Sequence, residues 1–430
     1  MEKTLNVILL SSDLINIQPL SDTSRESLNL LRSLYNVNFI SEQYIDKVSV
    51  LNNFTVVFIE SGGSEEKFLQ ILNKLPKLVV IISDSYHNSL PAALEISSWL
   101  YNNKTMFKHL NIPAKPSTKY LNEIKEELTY LETIQCGLNR ISSYNIALIG
   151  DESPWLISSK VNEEKIQKLY GVKFTEIETQ EIVTLFNGEH AADNDSLHLI
   201  EQLSEHKEDS NISDYSIHEA VRLYNVLKKI CKEQSINALT IKCFDFIDTC
   251  HTTACLALAL LNDSDIVSGC EGDIPALWSM IIAKEICGSS SFMANPSSIE
   301  RTDKSVDFAH CTAPFSIGDS FSLTTHYESN IGVGITVNIA LGKFTLFKCS
   351  GDALDKFYLF KGDVVQNTAV QERCRTQVKF IFKEKEHLDS FLKSHLGNHA
   401  VLIPGKHIGI LTCYIKLINS GNHEATTNSN

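Results

Sequence analysis

The sequence predicts an α/β protein: two Rossmann-like parallel-sheet α/β domains followed by an antiparallel β-barrel-like C-terminal domain. Three observations carry that prediction. In the N-terminal third, unbroken β-branched runs alternate with amphipathic stretches. Parallel strands buried on both faces, with their crossover helices, have this pattern. The alternation restarts after residue 140, so a second parallel sheet follows the first. Beyond about residue 300, strand patterns succeed one another with almost no helix between them, separated by Gly, Asn and Asp turns. Such a succession belongs to an antiparallel barrel or sandwich. The 430 residues accommodate about three domains of ordinary size. The expected boundaries are 1–140, 141–300 and 301–420, with a polar, disordered tail over 421–430.

In the first domain the strands are LNVILLS (5–11), TVVFIES (55–61) and LVVIISD (78–84). The helices are SEEKFLQILNKL (64–75), SLPAALEISSWLYNN (89–103) and the long amphipathic stretch 117–139. Ser-Gly-Gly-Ser (61–64) reads as a plain strand-to-helix turn. The second domain runs strand 144–150, helix 162–170, strand 172–178 and helix 179–186. Residues 187–214 are acidic and polar, a loop or a short helix flanked by loops, and a candidate hinge or lid. The pattern resumes with helix 215–234, strand 238–244, helix 251–261 and strand 265–269. In the third domain, VDFAHC, FSLTTHYE, GVGITVNIAL, KFTLFKC, KFYLFKGDVV and RTQVKFIF are strands with partial period-two alternation, and a helix at 384–395 precedes the last strands.

Composition narrows the function classes. There are 38 Lys and Arg against 52 Asp and Glu, a net charge of −14. An acidic chain argues against nucleic acid as the main partner, because phosphate binding needs a basic face. No apolar run reaches the 18 or so residues of a membrane span. The N-terminus reads as a first strand, since it lacks a basic region and a small-residue cleavage site. The 11 cysteines are scattered singly, with no CxxC pair. That suits reduced core thiols in a cytoplasmic protein better than a disulfide framework, and it makes none of them a catalytic candidate.

The most informative stretch is DIVSGCEGDIPALWSMIIAKEICG (265–288). A strand ends and Glu271 follows at once, where open α/β sheets gather functional groups. Asp273 precedes a helix with Pro275 in its first turn, the pattern of an N-cap. Glu is a poor cap, so Glu271 either faces a site or only ends a strand. In SSFMANPSSIE (290–300), Asn295-Pro296 initiates a turn. In VDFAHCTAP (306–314), His310 lies near a strand end, as a ligand or as a satisfied structural histidine. Cys311 does not pair with it, because neighbours on a strand point to opposite faces. In GNHAVLIPGKHIGIL (397–411), His399 and His407 follow turns, and His407 reads as an exposed turn residue. Glu271, His310 and His399 together are a carboxylate and imidazole set suited to Mn²⁺, Fe²⁺, Co²⁺ or Zn²⁺. Arg375 is a solvated strand arginine or a bidentate contact for an anionic substrate group. Trp155 stacks on the apolar face of a sugar or packs in the core.

Several segments, in order and spacing, resemble the L-fucose isomerase and L-arabinose isomerase superfamily, in particular its shorter fucose-isomerase-like members. They are IESGGSEEKF (59–68), HNSLPAALEI (87–96), IALIGDESPWLISS (146–159), GCEGDIPAL (269–277), FMANPSSI (292–299), AHCTAP (309–314) and GNHAVLIPGKHIG (397–409). The resemblance covers most of the chain from about residue 55. It implies two α/β domains and a β-barrel-like domain, assembled as a homo-trimer or homo-hexamer. It also implies a divalent metal, usually Mn²⁺, and aldose–ketose isomerisation of a small sugar through a cis-enediol. On it, Glu271 and His399 match metal-binding residues, and His310 matches a histidine ligand of the arabinose branch. Asn295 falls where the family usually carries its second Asp or Glu. An amide cannot exchange protons near neutral pH, so the departure has three readings. Asp273 or a metal-bound hydroxide substitutes, the chain only binds a sugar, or it runs a different metal-assisted reaction.

Overall fold

The computed structural model of the chain describes residues 3–13, 25–47, 53–188, 193–208 and 212–421. The chain divides into two compact units, Met1–Arg140 with Thr412–Asn430, and Ile141–Leu411.

The first unit is built on a five-stranded parallel sheet. Its elements are β1 (Thr4–Leu10), α1 (Glu26–Leu34), β2 (Asn36–Ser41), β3 (Phe54–Ile59), α2 (Glu65–Ile71), β4 (Val79–Asp84), α3 (Ser89–Asn102), β5 (Phe107–Ile112) and α4 (Thr118–Ile141). The strand order is β2-β1-β3-β4-β5, a doubly wound arrangement. The central strands β3 and β4 are buried at every position, which is why they stand out as apolar runs. The edge strands β2 and β5 alternate or are half-exposed. Their polar positions hid them from the periodicity reading. The core here is aliphatic, with Ile8, Val57, Ile59 and Ile81 under Phe68, Ala93 and Ile96 of the helices.

The second unit begins with a four-stranded parallel sheet. Its elements are β6 (Asn145–Ile149), α5 (Glu163–Tyr170), β7 (Lys173–Ile177), α6 (Thr179–Gly188), α7 (Asn194–Ser204), α8 (Asp214–Glu233), β8 (Ala238–Ile241), α9 (Asp245–Cys250), α10 (Cys255–Asp263), β9 (Val267–Cys270) and α11 (Ile274–Glu285). The strand order is β7-β6-β8-β9. The acidic stretch 187–214 contains α7, capped by Asp193, whose carboxylate accepts from Ser196 N at 2.8 Å. Residues 189–192 and 209–211 of that stretch lie outside the described residues, as does the tail from 422 on.

The same unit continues with β10 (Phe292–Glu300), β11 (Ser305–His310), β12 (Gly318–Thr324), β13 (Gly334–Ile339), β14 (Gly342–Ser350), β15 (Lys356–Asn367), β16 (Thr376–Phe382), α12 (Lys385–Leu392) and β17 (Ala400–Pro404). A helix, α13 (Ile408–Gly421), follows the last strand. Six strands close an antiparallel barrel in the order β10-β11-β16-β15-β14-β17, and β12 and β13 form a separate two-stranded sheet. Three expectations are revised. Asn295-Pro296 does not turn the chain; it runs through β10, and the register shift between Pro296 and Ser298 absorbs the proline, as bulges do. The FSLTTHYE and GVGITVNIAL segments pair with each other and not with the barrel. After His399 there is one strand and then a helix.

Helix α11 explains how sheet and barrel share a core. Residues Ile274 to Ala283 are buried without exception, so it is apolar all round. It packs on β8 and β9 on one side and on β14 and β17 on the other. Ser279 Oγ accepts from Cys349 N at 2.8 Å, tying the helix to β14.

Candidate functional site

The site is built where the β9–α11 loop meets one rim of the barrel. Strand β9 ends at Cys270, and Glu271 turns the chain with φ 64° and Gly272 with φ 75°. A side chain in the left-handed region costs on the order of 1–2 kcal/mol, and such strain gathers at functional sites. Position 272 must be glycine, since a Cβ there would lie 2.7 Å from Asp151 O and from Glu152 Cα. Ser153 N donates to Glu271 O at 2.9 Å and holds the loop.

Barrel register brings the other groups in. β10 pairs with β17 through Ala294↔Ala400, so Asn295 on β10 comes next to His399, the residue just before β17. β10 pairs with β11 through Asn295↔Ala309, and β11 with β16 through His310↔Thr376. Residues a hundred positions apart thus share one rim. One ligand atom each from Glu271, His310 and His399 lies within 4.8 Å of the others, and all three residues are buried. His310 Nε2 is 3.7 Å and His399 Nε2 3.5 Å from Glu271 Oε1.

Each imidazole is aimed by its other nitrogen. His399 Nδ1 lies 2.8 Å from Asp273 Oδ2, and His310 Nδ1 lies 3.0 Å from Thr312 Oγ1. A carboxylate accepting from Nδ1–H fixes the tautomer and turns the Nε2 lone pair outward. His399 Nε2 is buried and has no hydrogen-bond partner among the described residues. Asp273 is the N-cap of α11, taking Ala276 N at 2.8 Å, and its other oxygen lies 3.4 Å from the buried Lys348 Nζ. The cap expectation thus describes one of its oxygens; the other positions His399.

The electrostatics follow from burial and pairing. Burial works to raise the Glu271 carboxyl, but the two histidines outweigh it and hold it well below the usual range. Burial works likewise on Asp273, and Lys348 and His399 bring it to about 2. Burial lowers His310. For His399 it is outweighed by Asp273 and Glu271, and the net shift is upward. The donor set fits a divalent cation of borderline hardness, because it offers one carboxylate and two imidazoles around an unpartnered buried nitrogen.

A cleft of about 420 Å³, counting its open mouth, adjoins these groups. Glu271, Asn295 and His310 line it, together with Phe244, His326 and Glu328. Asn295 Oδ1 accepts from Asn398 Nδ2 at 2.9 Å. Trp155 is 49% exposed. Its ring meets Phe244 edge-on at 5.1 Å, and its indole N–H donates to Glu271 Oε2 at 2.5 Å. Of the two readings for Trp155, core packing is therefore excluded. Arg375 is half-buried, and its Nε donates to Thr325 O at 2.8 Å. It is not a freely solvated strand arginine. His407 stays apart, half-buried and donating to Pro404 O at 2.7 Å.

Sequence reasoning missed Lys348, His326 and Glu328. Lys348 occupies an inward position of β14, where a lysine within KFTLFKC reads as a surface residue. His326 and Glu328 sit in the β12–β13 connection with no local motif. Burial raises the Glu328 carboxyl, and the Glu271 charge adds to the shift.

No family model matches this chain. The curated proteins it resembles are sugar isomerases. They are sulfoquinovose isomerases: those of Priestia aryabhattai and Priestia megaterium are each 24% identical over 301 residues, 65% of this chain and 65% of theirs. A third, from a Clostridium species, is 26% identical over 215 residues, 49% of this chain and 46% of its own length. The matched part of the chain thus spans between just under half and just under two thirds of the length of these curated relatives. No helix among the described residues is long and apolar enough to cross a membrane.

Proposed function

We propose that the chain is a metal-dependent aldose–ketose isomerase of a small sugar, of the fucose and arabinose isomerase type. The observation that carries the reading is the convergence of Glu271, His310 and His399 on one buried point beside an open cleft. The similarity to sulfoquinovose isomerases supports the same reaction class and makes sulfoquinovose the first sugar to test. Glu271, His310 and His399 would hold the cation, Mn²⁺ being the first candidate. When bound, a divalent cation polarises the carbonyl and orients neighbouring hydroxyl oxygens.

The chain's own residues do the rest. Isomerisation moves a proton from C2 to C1 and another between O2 and O1, through an enediol. Glu271 is an ionised carboxylate on the cleft and acts as the base at carbon. The second exchange falls to Glu328, the other carboxylate of the cleft, whose raised pKa suits a group that both gives and takes a proton. Asn295, with its amide oxygen already bonded to Asn398, orients substrate or completes the cation's shell. Asp273 and Thr312 act through the histidines they hold. Trp155 fixes the Glu271 carboxylate and offers a face to the sugar ring, and Arg375 offers a cation to an anionic substituent. The homo-trimer or homo-hexamer and the cytoplasmic location belong to this same reading.

The test is conversion of an aldose panel, sulfoquinovose included, by protein loaded with Mn²⁺. Ketose product from wild type, lost in Glu271→Gln, supports the proposal; no bound divalent metal and no product overturns it. The second reading, a sugar-binding or regulatory homologue, is favoured by the amide at 295. It predicts sugar binding without turnover in wild type, and turnover gained in Asn295→Asp.

A further inference from the structure

Five of the 11 cysteines line the cleft: Cys243, Cys255, Cys270, Cys311 and Cys374. None of the cysteines is in a disulfide. They fall into two groups. Cys243 and Cys270 face each other with their sulfurs 3.0 Å apart. Cys255 and Cys311 stand with His326, one donor atom of each lying within 4.8 Å of the others, all buried. Cys311 is also hydrogen-bonded to Cys374.

We propose that Cys255, Cys311 and His326 form a second cation site, taking a thiophilic divalent ion of the zinc class. The donors come from three separate elements. Cys255 opens α10, Cys311 follows the last residue of β11, and His326 lies between β12 and β13. Because β11 ends at His310, strand alternation does not continue to Cys311. His310 joins the carboxylate–imidazole group, and Cys311 joins the thiols. The His326 Nδ1 lies 3.0 Å from Ser329 Oγ, the kind of outer contact that orients a metal-binding imidazole. Burial, with the Arg375 charge adding to it, lowers His326 to about 4, and a neutral imidazole is the form that ligates a cation.

Thiolate and imidazole select zinc-class ions, whereas carboxylate and imidazole also accept harder ones. The cleft therefore presents a soft site and a harder site side by side. In a tetrahedral site with Zn–S bonds of about 2.3 Å, ligand atoms lie roughly 3.8 Å apart, which falls within the 4.8 Å that bounds these three donors. Two thiols lose their protons as it binds. Cys374, on the same cleft and next to Cys311, is within the neighbourhood from which a fourth ligand comes. The inference rests on these three side chains and not on the isomerase reading.

Cobalt reports the site directly. Full-length protein, reduced and stripped of metal, is titrated with Co²⁺, and the near-ultraviolet thiolate-to-cobalt charge-transfer band is followed. One equivalent should produce the band and one equivalent of Zn²⁺ should remove it. The band should persist in Glu271→Gln and fall to about half or less in Cys311→Ser and in Cys255→Ser. Absence of the band in wild type, or a band undiminished in both serine variants, overturns the proposal. Should the serine variants not fold, X-ray absorption of wild type loaded with one equivalent of Zn²⁺ decides. A sulfur shell near 2.3 Å that weakens in His326→Gln supports the site. A shell of oxygen and nitrogen alone, or one that His326→Gln leaves unchanged, overturns it.

Discussion

Each parallel sheet carries a buried charged group at the carboxyl end of a strand, and the two groups are wired differently. In the first unit, Asp84 closes β4 at 1% exposure. Its Oδ2 accepts from Arg25 at 3.3 Å and from Ser27 at 3.2 Å, and its Oδ1 from Tyr86 N at 2.9 Å. Tyr86 lays its ring against the Arg25 guanidinium at 5.1 Å. This charge is fully paired. In the second unit Glu271 follows β9, and the network around it leaves His399 Nε2 without a hydrogen bond, next to a cleft. The contrast separates two uses of buried charge. A closed network is repaid within the fold, whereas an open one keeps a site ready for a ligand that completes it.

Removing one partner from each network breaks the comparison most sharply. Asp84→Ala strands Arg25 and should cost about 3–5 kcal/mol of stability, read as a fall in the urea midpoint. Divalent-metal binding per folded molecule should be unchanged. Glu271→Gln should act chiefly on binding: metal affinity falls more than about a hundredfold, while the metal-free protein, which loses the pairing of Glu271 with the two histidines, is destabilised less than by Asp84→Ala. A Glu271→Gln protein that binds Mn²⁺ normally would remove the distinction.

The loop that carries Glu271 gives a smaller effect. Gly272→Ala places a Cβ on the Asp151 and Glu152 backbone at a positive φ, so it should destabilise by more than about 1 kcal/mol. Metal affinity should drop with it, because the loop cannot move without moving the carboxylate. Asp273→Asn keeps the cap's shape but not its charge. The affinity for metal should fall about 10- to 100-fold, measured by competition with a chromogenic chelator.

Much of this contrast could be read before the fold was known. Strands β3 and β4 announce themselves as apolar runs because both faces are buried, and Glu271 stands out because glutamate is a poor helix cap. The same logic hid the edge strands β2 and β5, which spend half their positions on water. His310 and His399 could be named from motif resemblance, but only the barrel register, Ala294↔Ala400 and His310↔Thr376, brings them together. The thiols escaped for a related reason. Cys255, Cys311 and Cys374 lie far apart in sequence and carry no spacing signal, and three-dimensional closure alone makes them neighbours. Asn295-Pro296 misled because the pair usually turns a chain, whereas a bulge lets a strand carry the proline.

Trp155 supplies the mildest and most specific test of the open network. Its indole N–H donates to Glu271 Oε2, while Oε1 faces both histidines. Trp155→Phe keeps the ring and its edge contact with Phe244 but deletes the donor. A hydrogen bond to a charged group is worth about 1.5–3 kcal/mol, and Trp155, half-exposed, belongs at the lower end because water can replace the lost N–H. Metal affinity should therefore change by no more than about tenfold, because the donor orients a ligand and does not supply one. If Trp155 also faces the sugar, Trp155→Phe should raise KM little and Trp155→Ala much more, since only the alanine removes the ring. Equal KM values for Phe and Ala variants would confine Trp155 to holding the carboxylate.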